Sequence, residues 1–370
     1  MRFCIPWVRG RGAGLGNELF PWSKAFLASA ELGLKLLHPA WGLNRRRYWT
    51  HFDTSRADWV VHRVLEHSLP RYHFSEADYR ATGEDDFGRA VALWAADLKL
   101  TNKKAYVLLI DGMWGGFYSI QRARPFVYQQ LLASRYALRN INAMSKRRDP
   151  WRLLVAVHIR RGDFRIAGAE STSESRFNLV IPEGWYEKVC RSLREGLGRL
   201  VQFALFSDAN KEDLAAFIKE FDPITSTDLP HTECSDLLTM ASADLLVCSA
   251  STYSMWGACL SEAPYIWYAP QLYEEDGFVS LWGNEGAQRA SGGLTRRHKA
   301  ELLNSDGQLI AADICPRGAP VGEDGVIPTY VLSLLKSRVS TRRPVTDLIM
   351  YGVVPSTDNQ TARIKLKSTL

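Results

Sequence analysis

The sequence predicts a two-domain α/β protein whose second half is a doubly wound parallel sheet. Three observations carry this. The chain has 370 residues, too many for one ordinary core. Hydrophobic residues make up 46% and charged residues 23%, the values of a globular chain and not of a disordered or fibrous one. From Leu153 onward, short apolar runs alternate with helical periods, as strand–helix–strand crossovers do.

In chain order, Arg2–Val8 reads as a strand entering the glycine loop Arg9-Gly-Arg-Gly-Ala-Gly-Leu-Gly-Asn17. The helix after it repeats apolar positions at Leu19, Trp22, Phe26, Ala30, Gly33 and Leu37, with Pro21 expected in its first turn. Residues 45–104 are expected to be helical with long loops. Tyr106–Ile110 is a second strand, ending in the glycine- and aromatic-rich turn Asp111-Gly-Met-Trp-Gly-Gly-Phe-Tyr118. A helix from Arg124 to Leu138 closes this half. Ser145–Pro150 is polar and ends in proline, as a linker does. The expected domains are therefore 1–147, 148–300 and a C-terminal extension over 301–370.

The second half is more regular. Leu153–Ile159 is a strand, and Pro182 opens a helix with Trp185, Val189 and Leu193 on one face. Val201–Phe206, Asp244–Cys248 and Tyr265–Tyr268 read as strands. Lys211–Phe221, Ser235–Ala241 and Thr252–Leu260 read as helices between them, and a further helix is expected near Thr329–Lys336.

The formal net charge is +6, and the first sixty residues hold nine Lys/Arg against four Asp/Glu. A solvated basic face accounts for this. So does attraction to a nucleotide sugar, another polyanion or an anionic membrane surface, which would allow peripheral contact. No nucleic-acid-binding signature accompanies the charge, so no nucleic-acid partner is expected. No apolar run is long enough to span a bilayer, and the first residues lack the apolar core of a signal peptide. The six cysteines form no CxxC pair, and Cys190, Cys248 and Cys259 fit buried thiols. These features point to a cytoplasmic protein.

In doubly wound sheets, ligands bind beyond the carboxyl ends of the strands. His158-Ile-Arg-Arg-Gly-Asp-Phe164 lies at such an end. Arginine forks take phosphate oxygens two at a time, and glycine lets the backbone approach a ligand. The bland alternative is a strand end closed by a salt bridge from Arg160 or Arg161 to Asp163. Ser249-Ala-Ser-Thr-Tyr-Ser254 precedes a helix, where hydroxyl residues cap the first turn and also receive anions. Asp208 either caps the next helix or faces the ligand. Asp236, near a helix start, serves the helix dipole or accepts from the N–H donors of a base. Gly12-Ala-Gly-Leu-Gly-Asn17 is a weak glycine-loop signal by itself. Trp114, Phe117 and Tyr118 are candidate sugar-stacking aromatics, although most aromatics are core.

Gly14-Leu-Gly-Asn-Glu-Leu-Phe20, His158–Phe164, Phe206-Ser-Asp208 and Asp236-Leu-Leu-Thr-Met240 followed by Ser251–Leu260 occur in this order. Together they resemble the GDP-fucose-dependent fucosyltransferases, most closely the α-1,2 branch, glycosyltransferase family 11. The resemblance covers about residues 10–270. It implies a GT-B fold, with two Rossmann-like domains facing a central cleft, and metal-independent, inverting transfer of L-fucose from GDP-fucose to a sugar hydroxyl. Carried over by position, Arg160 holds the β-phosphate, His158 contacts the nucleoside portion, Asp236 accepts from guanine, and Ser251 and Thr252 bind phosphate. Gly14, Gly16 and Asn17 line the donor-facing loop. Asp208 is grouped with the donor residues. Asp163 and then Glu18 are the candidate bases. Glu18 stands where the family has glutamine, and Met255 and Cys259 stand where it has tryptophan. The alternatives are a transferase for a different nucleotide sugar and a non-catalytic protein that binds a nucleotide sugar or polyanion. No metal or other cofactor is expected.

Overall fold

The computed structural model describes residues 1–8, 13–52, 54–55, 57–84, 86–162, 180–261, 263–271, 273–275, 278–280 and 318–341. The chain divides into two compact units, Met1–Leu138 and Arg139–Leu370. Both are α/β with a parallel sheet, as the alternation of apolar runs and helical periods predicts.

The first unit holds β1 (Arg2–Trp7), α1 (Leu15–Leu32), β2 (Lys35–Leu36), α2 (Asp58–Ser68), β3 (Arg71–Phe74), α3 (Glu76–Thr82), α4 (Phe87–Asp97), β4 (Tyr106–Asp111), α5 (Gly116–Ser119) and α6 (Arg124–Leu132). Its strands run parallel in the order β2-β1-β4-β3. All six residues of β4 are buried, and the first five, Tyr106–Ile110, read as one apolar run. Helix α1 begins at Leu15, so Gly16, Asn17 and Glu18 belong to its first turn and not to a loop. Pro21 consequently falls in the second turn, where the Asn17 carbonyl receives no N–H from it.

Helix α6 stops at Leu132, short of the expected Leu138. The Ser134 N–H tightens onto the Leu131 carbonyl and ends it, and the Ala137 N–H then bonds the Ser134 carbonyl to open α7 (Ala137–Ser145).

The second unit continues with β5 (Leu153–Ile159), α8 (Glu183–Leu197), β6 (Val201–Ser207), α9 (Ala215–Phe221), β7 (Ile224–Thr225), α10 (Glu233–Ala241), β8 (Leu245–Val247), α11 (Thr252–Cys259), β9 (Tyr265–Tyr268), β10 (Tyr273–Glu275), β11 (Phe278–Ser280) and β12 (Gly318–Val321). A final helix spans Thr329–Thr341. The main sheet is parallel in the order β12-β9-β8-β5-β6-β7, and β10 and β11 form a separate antiparallel pair. Central β5 is buried at every position. Helix α8 buries Trp185, Tyr186, Val189, Cys190, Leu193 and Leu197 at spacings of one, three and four, and Val331 and Leu335 of the last helix join the same core. Among the described residues, no helix is long and apolar enough to cross a membrane.

Candidate functional site

The second sheet changes direction at one place. From β5 the chain steps outward to β6 and β7, then returns to β8 on the other side of β5 and moves on to β9. The segments leaving β5 and β8 therefore diverge, and it is beyond the carboxyl ends of strands at such a switch that doubly wound sheets bind ligands. The two strongest motifs, beginning at His158 and at Ser249, are those segments.

His158 is buried near the end of β5. Its Nδ1 lies 2.5 Å from Ser254 Oγ and 3.0 Å from Ser249 Oγ. The Ser249 N–H donates to Ser254 Oγ at 3.1 Å, which completes a buried polar knot between β5 and the start of α11. Burial, assisted by the nearby Arg160 charge, brings the His158 pKa down to about 3. The ring is therefore neutral at physiological pH. Tyr253 packs 5.4 Å from it, and the Tyr253 hydroxyl donates to the Glu233 carbonyl, which ties α11 to α10.

Ser251 is the N-cap of α11, with extended backbone (φ −137°, ψ 138°) and Oγ accepting from the Tyr253 N–H at 3.3 Å. Thr252 follows in the first turn and is half-buried. This end of α11 carries the helix's positive pole.

Arg160 follows β5, and its Nη1 meets Asp208 Oδ2 at 2.6 Å. The other Asp208 oxygen accepts from the Arg161 N–H at 2.8 Å. Asp208 thus pairs with the arginine loop and does not simply cap the next helix. Ser207 holds this arrangement from below. Its Oγ donates to the Ile159 carbonyl at 2.6 Å and accepts from the Ala209 N–H at 3.1 Å. Gly162 is required here, because its φ is +20° and a Cβ on it would stand 2.1 Å from Asp208 Oδ2. Arg161 sends its guanidinium elsewhere, to the Ile181 carbonyl at 2.9 Å and to Glu183 at 3.6 Å. Asp163 lies outside the described residues.

Asp236 sits on the first turns of α10, where its carboxyl accepts from the hydroxyls of Ser226 and Thr232. The residue keeps some exposure, yet its Oδ1 is buried and has no hydrogen-bond partner among the described residues. Burial pushes its pKa up to about 7, and the neighbouring Glu233 charge adds to this against the two hydroxyls.

The remaining candidates belong to the first unit. Gly14 is the N-cap of α1 and provides no side-chain cap. Gly16 is buried and Asn17 half-buried in the turn after it. Glu18 is buried, with Oε2 accepting from the Trp41 indole and Oε1 from Asn44 Nδ2 at 2.8 Å. Burial outweighs both donors and raises its pKa to about 8, so it holds a proton at neutral pH. In this arrangement Glu18 clamps the Trp41–Asn44 turn onto α1. Trp114 packs among Phe74, Tyr79 and Phe87, and Phe117 lies 4.7 Å from Phe20. Tyr118 follows Phe117 in α5.

Sequence reading missed two features. Lys24 is wholly buried, donating to the carbonyls of Asp111 and Gly112 with Trp114 over its ammonium at 3.4 Å. Its signal was a lysine between the apolar positions Trp22 and Phe26 of α1. The second is Asp208 as the partner of Arg160, which strand pairing sets and spacing does not announce. No protein-family model matches the chain, and no curated protein sequence matches it.

Proposed function

We propose that the chain is an inverting GT-B glycosyltransferase that moves L-fucose from GDP-fucose to a hydroxyl of a glycan or other sugar-bearing acceptor. One observation carries the reading: an arginine braced by Asp208 and a helix N-terminus capped by Ser251 flank the same strand switch. These are the cationic and dipolar groups that a departing diphosphate needs.

As the glycosidic bond breaks, the sugar takes on oxocarbenium character and GDP gains negative charge. Arg160 meets the β-phosphate with its planar fork, and the first turn of α11, with Ser251 and Thr252, takes the other phosphate oxygens. His158 stays neutral and holds that turn in place. Ionised Asp236 accepts from N1–H and N2–H₂ of guanine, a pair of donors that adenine and uracil lack. Asp163 remains the candidate base for the acceptor hydroxyl. The reaction so drawn uses no metal, and transfer is expected to persist in excess chelator.

A second reading, binding of a nucleotide sugar without turnover, draws on Glu18, which keeps its proton and offers no base. Thermal shift against GDP, UDP and ADP sugars tests whether there is a donor site, and GDP release then separates the two readings. A ligand at a hundred times its Kd adds about 2.7 kcal/mol of stability. Stabilisation by UDP sugars and not by GDP-fucose would refute the fucosyl reading.

A further inference from the structure

Helix α2 is built the wrong way round for a surface helix. Its inward face carries His62 and Glu66, both buried, beside the half-buried Leu65. Leu65 and Leu69 pack on the small core of Ile5, Val107 and Leu109. Its outward face carries Trp59, Val60, Val61 and Val64, exposed by 39, 42, 52 and 56%. An amphipathic helix on a monomer normally shows the reverse. Val61 and Val60 lie three and four residues before Val64, so the three valines share one arc of the helix, with Trp59 at its flank. Exposed His67 and Ser68 follow the valines on this side of the helix, and an exposed apolar cluster of this kind marks an interaction surface.

Charge selects the partner. Arg63, on α2 itself, is exposed, and its contact with Glu66 at 3.3 Å runs along the helix and leaves the apolar stripe open. The 3-10 turn Trp41–Leu43 packs against α2, and the chain leaves it through Arg45, Arg46 and Arg47, all exposed. Arg71 is exposed just beyond the helix. Apolar side chains, a tryptophan at one end and a basic rim match a helix lying flat in an anionic lipid surface. At 11 residues α2 reaches about 16 Å, too short to span a bilayer but sufficient to lie in its headgroup layer.

We infer that α2, with Arg45–Arg47, docks this protein peripherally on anionic lipid headgroups. Trp59 and the valines enter the acyl boundary, and the arginines meet the lipid phosphates. The inference is independent of the proposed transferase activity.

The test is co-sedimentation of the full chain with vesicles of pure phosphatidylcholine and of phosphatidylcholine with 30% phosphatidylglycerol, about a third of the lipid, enough to give a negative surface. Binding is expected to the anionic vesicles alone and to weaken with salt. The triple variant Arg45→Gln, Arg46→Gln, Arg47→Gln should lower the partition coefficient on the order of a hundredfold, at about fivefold per arginine. Val61→Ser with Val64→Ser should abolish binding while circular dichroism stays unchanged, since both side chains are exposed. Trp59 emission should shift to the blue on vesicles and not in Trp59→Phe. Equal partition of wild type and either variant would overturn the inference. So would absence of binding, or a concentration-dependent dimer that the valine variant dissolves, which would assign the stripe to a second copy.

Discussion

Arg160 Nη1 and Asp208 Oδ2 lie 2.6 Å apart across the carboxyl ends of neighbouring strands β5 and β6. Because Asp208 also holds the Arg161 N–H, one carboxylate fixes both the side chain and the backbone of the arginine loop. A positioned fork of this kind is worth more to a developing charge than a mobile cation.

Asp208→Asn should keep the Arg161 N–H contact and lose the charge that orients Arg160. Turnover should fall about 10²-fold while GDP binding changes less, because misplacement by about 1 Å is enough for such a loss. Steady-state kcat and KM, measured separately, check this. An unchanged kcat would remove Asp208 from the account.

Gly162→Ala should act through the same carboxylate. Its new Cβ would stand 2.1 Å from Asp208 Oδ2, on backbone at φ +20°. The expected outcome is a turnover loss like that of Asp208→Asn, with destabilisation of about 1–3 kcal/mol from the strained site. Urea denaturation alongside kinetics reads both.

Asp236 gives a pH-dependent prediction with opposite signs for stability and binding. Its folded pKa of about 7 lies above the unfolded value near 3.9. Between about pH 4 and 7 the unfolded chain therefore binds fewer protons, and the contribution of this group to stability falls as pH rises. Affinity for GDP should rise over the same range, because the proposed guanine contact needs the carboxylate. Calorimetric titration of GDP at pH 5.5 and 8 tests this, and Asp236→Asn should remove the trend in affinity and this group's share of the trend in stability.

Glu18 adds a second falling contribution to stability, from about pH 4 to 8, by the same sign. Glu18→Gln removes the titration. It also turns an amide N–H toward Trp41 or Asn44, which costs about 1–3 kcal/mol for the donor left unsatisfied. The difference between the denaturant midpoints at pH 5 and 8 should shrink in the variant relative to the wild type, leaving the Asp236 contribution.

Much of the second unit was legible because burial writes plain runs. Leu153–Ile159 is buried at every position, and Tyr265–Tyr268 is apolar throughout, so both strands were read to the residue. Strand β3 was hidden because, of Arg71-Tyr-His-Phe74, only Phe74 is buried. Strand β12 was missed as Gly-Ala-Pro-Val, which carries two residues that strands disfavour. In the candidate site, residue types at a strand end and at two helix starts marked Arg160, Ser251 and Asp236. The pairing of Arg160 with Asp208 and the knot of His158 with Ser249 and Ser254 depend on which strands lie side by side. No local spacing in the chain records that.

The central claim, that Arg160 stabilises the departing GDP, is tested most directly by single-turnover release of GDP from GDP-fucose by wild type, Arg160→Lys and Arg160→Ala. A lysine point charge cannot copy the two-oxygen contact of the fork. Both variants should therefore be folded and slower by about 10²–10³-fold. Release by Arg160→Lys at close to the wild-type rate would contradict the account and leave Arg160 as one half of a structural ion pair with Asp208.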